Sequence, residues 1–405
     1  MSERSHVLIG VGGGIAAYKV CEVISQLAQA DCEIRCIYTM AAEQFIAPLT
    51  LATLSRHPAY GDRQFWSPSQ GRPLHIELGE WADVFLLAPL TANTLAKLAQ
   101  GAADNLLTNT VLASRCPVLL APAMNTEMWE QVAVQRNWQQ VQQDRRYQAI
   151  APGAGRLACD RVGAGRLAEP RELIAAVQSL LHTGGDRDLA GKTVLITAGS
   201  TREHLDPVRF LGNPSSGKMG VALTQAALHR GADVILIHGP LVIPLPVSPQ
   251  LHTQAVTSAA AMRAAVLDVC DRADWWVLAA AVADVRPVQM AAVKLPKQEL
   301  PAALPLEPTP DIATELGQRQ RQPAVFLGFA AQTGEIVAPA WEKLRRKGFT
   351  AIAANPIDQP GAGFGSETNR MVLLAADGRQ RSLATRSKLA IAHQIYDFVQ
   401  GCAGG

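Results

Sequence analysis

The sequence predicts an α/β protein built from two doubly wound domains. Short apolar runs alternate with segments whose apolar residues recur at helical spacing, the pattern of a parallel sheet covered on both faces. The alternation stops at a hydrophilic segment, 182–190 (HTGGDRDLA), which has paired glycines, charges and no apolar period, and then it restarts. A length of 405 residues suits two domains of ordinary size. The expected organisation is a first domain at 1–183, a linker at 184–190 and a second domain at 191–405.

In the first domain, residues 6–11 (HVLIGV) read as a strand ending in glycines. Residues 15–30 read as a helix with Val20, Val23, Ile24 and Leu27 on one face. Further strands are expected at 33–38, 84–88 and 118–121, with a helix at 94–100. The second domain opens with a strand at 193–197 (TVLIT), followed by a long loop and a helix from Lys218. More strands are expected at 233–237, 275–280, 325–328, 350–353 and 371–374. Segment 240–249 reads as a loop or hairpin edge. Segment 286–311, with six prolines and two lysines, is a candidate lid or substrate flap, because long irregular stretches in compact domains usually serve function.

Composition excludes several classes. The chain is 48% hydrophobic and 18% charged with a net charge of +2, which gives no basic surface for nucleic acid or membrane. No apolar run approaches bilayer length, and the first residues lack a signal-peptide layout. Seven scattered cysteines with no CxxC pair argue for reduced thiols in a cytoplasm, without a zinc site or disulfide framework.

The most informative stretch is Pro122-Ala123-Met124-Asn125-Thr126-Glu127-Met128-Trp129, directly after the strand at 118–121. Open α/β sheets hold ligands at the C-terminal ends of their strands. An amide there can grip a carboxylate without adding charge, while thioethers and an indole exclude water. Read alone, Asn125 is equally a helix cap. Gly10-Val11-Gly12-Gly13-Gly14-Ile15 suits one phosphate at a helix N-terminus. It misses the dinucleotide fingerprint because Ile15 stands at the third glycine position, and the second strand ends in Tyr38-Thr39-Met40 with no acid. Polar clusters at 88–94, with Ala88, Thr91 and Asn93, and at Asp104-Asn105 are candidates for a flavin ring or ribityl chain, or for helix caps. His75 lies in an apolar setting, where a structural histidine is the commoner case. Cys159 lies in a glycine-rich segment, 153–166, that carries three arginines and resembles a closing flap.

Read together, Gly13-Gly14-Ile15-Ala16-Ala17-Tyr18-Lys19, His75-Ile76-Glu77-Leu78, Pro122-Ala123-Met124-Asn125 and the Cys159 flap resemble the flavin-dependent cysteine decarboxylases. The second half resembles phosphopantothenate–cysteine ligase, so the whole chain is similar to the bifunctional coenzyme A biosynthesis family. The resemblance implies a flavodoxin-like decarboxylase domain binding FMN and a Rossmann-like ligase domain using CTP and Mg²⁺. In such enzymes the substrate thiol is oxidised on FMN, the thioaldehyde acts as electron sink for loss of CO2, and the enethiol is then reduced. It implies His75 as base, Asn125 as carboxylate holder and Cys159 as proton donor. Gly13, Gly14, Thr39, Ala88, Thr91, Asn93, Asp104, Asn105 and Met124 fall to the flavin site.

For the ligase it implies activation of 4′-phosphopantothenate by CTP as an acyl-cytidylate, from which L-cysteine displaces CMP. Asn213 then contacts the intermediate and Lys294 the α-phosphate. Ala280, Asp284, Pro310, Asp311, Ile312, Phe329, Lys343 and Lys347 form the nucleotide site, with Mg²⁺ on the phosphates near Asp284. Ser215-Ser216-Gly217-Lys218-Met219-Gly220 is not a P-loop, because Met219 replaces the hydroxyl residue that would hold Mg²⁺. It reads as a helix start shaped for an anion. The sequence departs from the family at Pro296 and Pro308, where lysines are common, and at Gly12, where a hydroxyl residue is common. The family implies a cytoplasmic homo-oligomer with trimeric decarboxylase and dimeric ligase contacts, together able to build a dodecamer. Two rival readings are a decarboxylase with a weakened ligase half and a non-catalytic flavoprotein subunit.

Overall fold

The computed structural model describes residues 4–30, 32–67, 71–156, 160–359, 361–363 and 365–402. The chain divides into two compact units, Met1–Asp186 and Arg187–Gly405.

The first unit contains a six-stranded, all-parallel sheet. Its strands are β1 (Ser5–Val11), β2 (Cys32–Tyr38), β3 (Ala59–Tyr60), β4 (Val84–Leu90), β5 (Val118–Pro122) and β6 (Tyr147–Ala149), in the order β3-β2-β1-β4-β5-β6. Without the two-residue edge strand β3, this is the flavodoxin-like order, which reverses direction between β1 and β4. The central strands are buried on both faces, and β4 has no exposed residue. They are therefore continuous apolar runs without a period of two. Val20, Val23, Ile24 and Leu27 of helix Ala17–Gln29 are fully buried against one face. Phe85, Leu87, Leu120 and Val111 belong to the core on the other. Strands β7 (Gly153–Arg156) and β8 (Val162–Arg166) pair antiparallel as a hairpin.

The second unit has an eight-stranded sheet. Its elements follow as β9 (Thr193–Ala198), a small ribbon of β10 (Glu203–His204) and β11 (Phe210–Leu211), then β12 (Asp233–His238), β13 (Leu251–Ala255) and β14 (Trp275–Leu278). A second ribbon, β15 (Val285–Pro287) with β16 (Leu306–Pro308), precedes β17 (Val325–Gln332), β18 (Ala351–Pro356), β19 (Thr368–Ala375) and β20 (Gln380–Ser387). The order is β13-β12-β9-β14-β17-β18-β19-β20. The first six strands are parallel in the Rossmann order, and β19 and β20 extend the sheet antiparallel.

Two features differ from the sequence reading. Segment 286–311 is not wholly irregular, because its ends pair as the β15–β16 ribbon, tied by Arg286 to Glu307 at 2.8 Å. Residues 187–190 are not free linker: Leu189 is buried, and Asp188 accepts from the buried guanidinium of Arg230. The absence of an apolar period over 182–190 concealed these two anchors.

Candidate active sites

In the first unit, the C-terminal ends of β1, β2, β4 and β5 meet along one rim. Gly12 donates to Pro89 O at 3.2 Å, and a Cβ on Gly12 would lie 2.4 Å from that oxygen. A Cβ on Gly13 would lie 2.4 Å from Ala41 Cβ, so the loop after β1 is pressed against both neighbouring strand ends. Gly14 faces open space, and the helix that follows has neither a side-chain cap nor an acid in its first turn. These amides fit a single phosphate. Ala88 is fully buried within β4, and Thr91 and Asn93 begin the next helix.

Around the rim, Thr39 caps Ala42, Thr91 caps Thr94 at 3.3 Å, and Asn105 caps Thr108 at 2.9 Å. Asp104 pairs with Lys97 at 2.6 Å, and that bond holds its carboxyl below the usual range. Asp62 accepts from Leu106 N at 2.8 Å, which draws the Asn105 turn to the short helix Asp62–Phe65. The Phe65 ring meets His75 edge-on at 5.4 Å. His75 is the second residue of helix Leu74–Trp81, whose far end stacks Trp81 on His6 at the start of β1. The helix is thus anchored at its far end to the start of β1, packs along helix Leu106–Ala113, and holds His75 at its opposite end beside Phe65. His75 Nδ1 is buried without a hydrogen-bond partner.

Asn125 follows β5, where Ala123 N donates to Leu90 O at 3.1 Å. Its Oδ1 accepts from Glu127 N at 2.8 Å, so Asn125 is a cap as well as a strand-end amide. Strand β8 lies on this turn. Met124 N donates to Gly165 O at 2.9 Å, a Cβ on Gly163 would meet Thr126 Oγ1 at 2.5 Å, and Arg161 pairs with Glu127. The buried Thr126 Oγ1 has no partner. The hairpin thus covers the Asn125 turn. Cys159, expected in a closing flap over the site, lies outside the described residues.

In the second unit, a cavity of about 790 Å³ opens along the C-terminal edge of the sheet. It gathers Asn213, Ala280, Asp284, Pro310, Asp311, Ile312, Phe329, Lys343 and Lys347. Asn213 donates to Val282 O at 3.1 Å, next to Ala280 and Asp284. Lys343 and Lys347 both reach the cavity from helix Val337–Lys347, as their spacing of four allows. Both heads already have acceptors: Lys343 binds Phe329 O at 2.8 Å, and Lys347 binds Thr314 Oγ1 at 2.7 Å and the Asp311 carboxylate. Burial, then the nearby Lys347, pushes Lys343 below the usual lysine range. Lys294 is exposed on the β15–β16 arm and does not line the cavity.

Residues 1–182 match the flavoprotein family, and residues 189–402 match the DNA/pantothenate metabolism flavoprotein C-terminal domain family. The coenzyme A biosynthesis bifunctional protein CoaBC of Bacillus subtilis is 43% identical over 395 residues, covering 98% of this chain and 96% of that protein. The chain belongs to the family of bifunctional coenzyme A biosynthesis proteins. The member from Mycobacterium bovis is 42% identical over 419 residues, covering 98% of this chain and 97% of that one. A protein named cysteine/cysteine sulfinic acid decarboxylase, from an unknown prokaryotic organism, is 41% identical over 353 residues, covering 86% of this chain and 97% of its own.

As a member of the bifunctional coenzyme A biosynthesis family, the chain is an enzyme with a flavoprotein decarboxylase domain and a ligase domain. Its cavity also contains residues that the sequence reading did not select: Lys218, Asn355, Asn369 and Lys388. Lys218 was read as part of a helix start shaped for an anion, without a role of its own. The other three come from β18, β19 and a helix beyond β20, and no local motif marks them. No helix among the described residues is long and apolar enough to cross a membrane.

Proposed function

We propose that the second domain joins L-cysteine to 4′-phosphopantothenate at the expense of CTP, and that the first decarboxylates the product to 4′-phosphopantetheine with FMN. The observation that carries this reading is the cavity, which collects nine side chains expected for a nucleotide and an acyl intermediate beside the end of β17. In the ligase step a carboxylate oxygen of 4′-phosphopantothenate attacks the α-phosphorus of CTP, and pyrophosphate leaves with the electron pair of the broken P–O bond. The cysteine amine then attacks the acyl carbon and CMP leaves. Asn213 orients the acyl group, and Lys294, delivered by the arm, offsets charge at the α-phosphate. Mg²⁺ would sit on the phosphate oxygens with Asp284. Among the described residues no group of three or more potential ligands exists, and Mg²⁺ held by substrate phosphates requires only one or two carboxylates.

In the decarboxylase, Gly13 and Gly14 would hold the flavin phosphate, with Thr39, Ala88, Thr91, Asn93, Asp104, Asn105 and Met124 around the cofactor. The unpartnered His75 Nδ1 and Thr126 Oγ1 fit a polar heterocycle at this rim. A bound flavin supplies a reversible two-electron sink. Asn125 holds the carboxylate with a neutral amide, which does not over-stabilise the charge that must depart as CO2. His75 accepts a proton from the substrate, and Cys159 returns one. By family resemblance the enzyme assembles from trimeric and dimeric contacts.

One observation favours a second reading, a decarboxylase with a weakened ligase. The relative named as a decarboxylase covers 86% of this chain, and by resemblance Pro296 and Pro308 stand where the family commonly has lysines. Separate assays decide. The proposal expects a visible flavin spectrum, CO2 from the acylcysteine, and CMP from CTP, 4′-phosphopantothenate and cysteine. Absence of CMP leaves the decarboxylase alone.

A further inference from the structure

Two helices begin at one end of the ligase cavity, and each begins with a lysine. Helix Lys218–His229 and helix Lys388–Gln400 lie side by side and run the same way. Tyr396 donates to Leu223 O at 3.0 Å, while Arg230, just past the first helix, reaches His393 O at 3.2 Å and Asp397 at 2.8 Å. Their N-termini are joined through Glu367, whose carbonyl accepts from Lys388 N at 3.1 Å and whose carboxylate accepts from Lys218 Nζ.

This arrangement is electrostatically costly. Each helix N-terminus carries roughly +0.5 charge and favours anions, yet each begins with an ammonium-bearing residue. Lys388 is 7% exposed, and its Nζ has backbone carbonyls of Thr368, at 2.9 Å, and Gly363, at 3.5 Å, as acceptors. The only carboxylate bonded to either head among the described residues is Glu367, whose side chain is 84% exposed. Burial, and then Lys218, pushes the Lys388 ammonium below its ordinary range. At the other end Lys347 is paired with Asp311, and Lys343 has the Phe329 carbonyl as its acceptor. One end of the cavity, which Asn355 and Asn369 also line, thus holds a buried ammonium bonded only to carbonyls and a second whose one bonded carboxylate is exposed.

We propose that Lys218 and Lys388 bind the terminal diphosphate of the nucleoside triphosphate and hold it as it leaves as pyrophosphate. This rests on the ligase reading, and it assigns to these residues the part of the triphosphate that departs. When the carboxylate oxygen bonds the α-phosphorus and the α–β bridging bond breaks, the bridging oxygen takes the electron pair. The two ammonium groups and helix ends stabilise the charge gained there. The cation pair is kept despite its cost to the empty protein because its counter-charge arrives with the nucleotide.

The test compares the full chain with Lys218→Gln and Lys388→Met by calorimetric titration of inorganic pyrophosphate and by steady-state CMP release. Each variant should weaken pyrophosphate binding by about tenfold or more, the size of a lost charge-assisted contact. Each should raise the KM for CTP and leave the KM for 4′-phosphopantothenate and the affinity for CMP unchanged. Lys388→Met should also raise the melting temperature without ligand, because an apolar side chain replaces a costly buried charge. Unchanged pyrophosphate binding in both variants overturns the proposal. A raised KM for 4′-phosphopantothenate with unchanged pyrophosphate binding also overturns it, by assigning this end to the substrate's phosphate. If the unmodified chain releases no CMP, the ligase reading fails, whereas pyrophosphate titration still reports on the cation pair.

Discussion

Asn125 combines two roles at the end of β5. Its Oδ1 caps the turn through Glu127 N, and its place at the rim is that of a carboxylate holder. Asn125→Ala is expected to lower stability by about 1 kcal/mol through the lost cap and to abolish CO2 release while CMP release persists. Asn125→Asp separates the roles. A carboxylate still accepts from Glu127 N, so the melting temperature should hold, but it repels the substrate carboxylate and decarboxylation should still fail. An active, stable Asn125→Asp enzyme would remove Asn125 from the carboxylate site. Asp311 provides a pH test. Burial opposes its charge, but Lys347 and the Thr314 amide and hydroxyl outweigh it and hold the carboxyl below the ordinary value of 3.8. The stabilisation is therefore present above that value and lost as pH falls through the lowered one. In denaturant unfolding, Asp311→Asn should be less stable than the parent at neutral pH, with the difference closing as the pH falls below the ordinary carboxyl value of 3.8 and through the lowered one. Both residues were legible in the sequence. Lys388 was not, because its meaning depends on Lys218 and Glu367, which only the fold brings to it.

At the scale of elements, the glycine loop is the most exposed to test. A Cβ on Gly13 would lie 2.4 Å from Ala41 Cβ and 2.7 Å from Ala41 C. Backbone cannot yield as a flexible side chain does, so Gly13→Ala should open the loop. Purified Gly13→Ala protein is expected to lose most of its visible flavin absorbance while ligase activity remains; full flavin content would show that the loop tolerates the change. The parallel strands were readable because double-sided burial makes them apolar throughout. Strand β20 was not, since Leu383 is its one buried residue. The β15–β16 ribbon was hidden by its prolines, which suggest a loop, although Pro287 and Pro308 sit where a two-stranded edge tolerates a missing donor.

For the whole molecule, the two compact units predict separable chemistry. Cutting between Asp186 and Arg187 should leave CO2 release with one piece and CMP release with the other. A cut after Ala190 should not be equivalent. It removes Leu189 from the core and Asp188 from Arg230, whose side chain is only 3% exposed. The second piece should then lose about 3 kcal/mol in denaturant unfolding, the scale of breaking a buried ion pair, whereas equal stability would make 187–190 a mere tether. The sequence marked where one domain yields to the next by its glycines. It did not mark the anchors, because one leucine and one aspartate have no periodicity.

The pairing of helices Lys218–His229 and Lys388–Gln400 also bears on synthesis. The first domain's residues leave the ribosome early and need nothing from beyond Asp186 to complete their sheet. The ligase cavity lacks a wall until Lys388 emerges. The domain that acts first in the proposed sequence of reactions is therefore the last to mature. A nascent chain halted before Lys388 would carry a finished decarboxylase waiting for a product that its own second half cannot yet make.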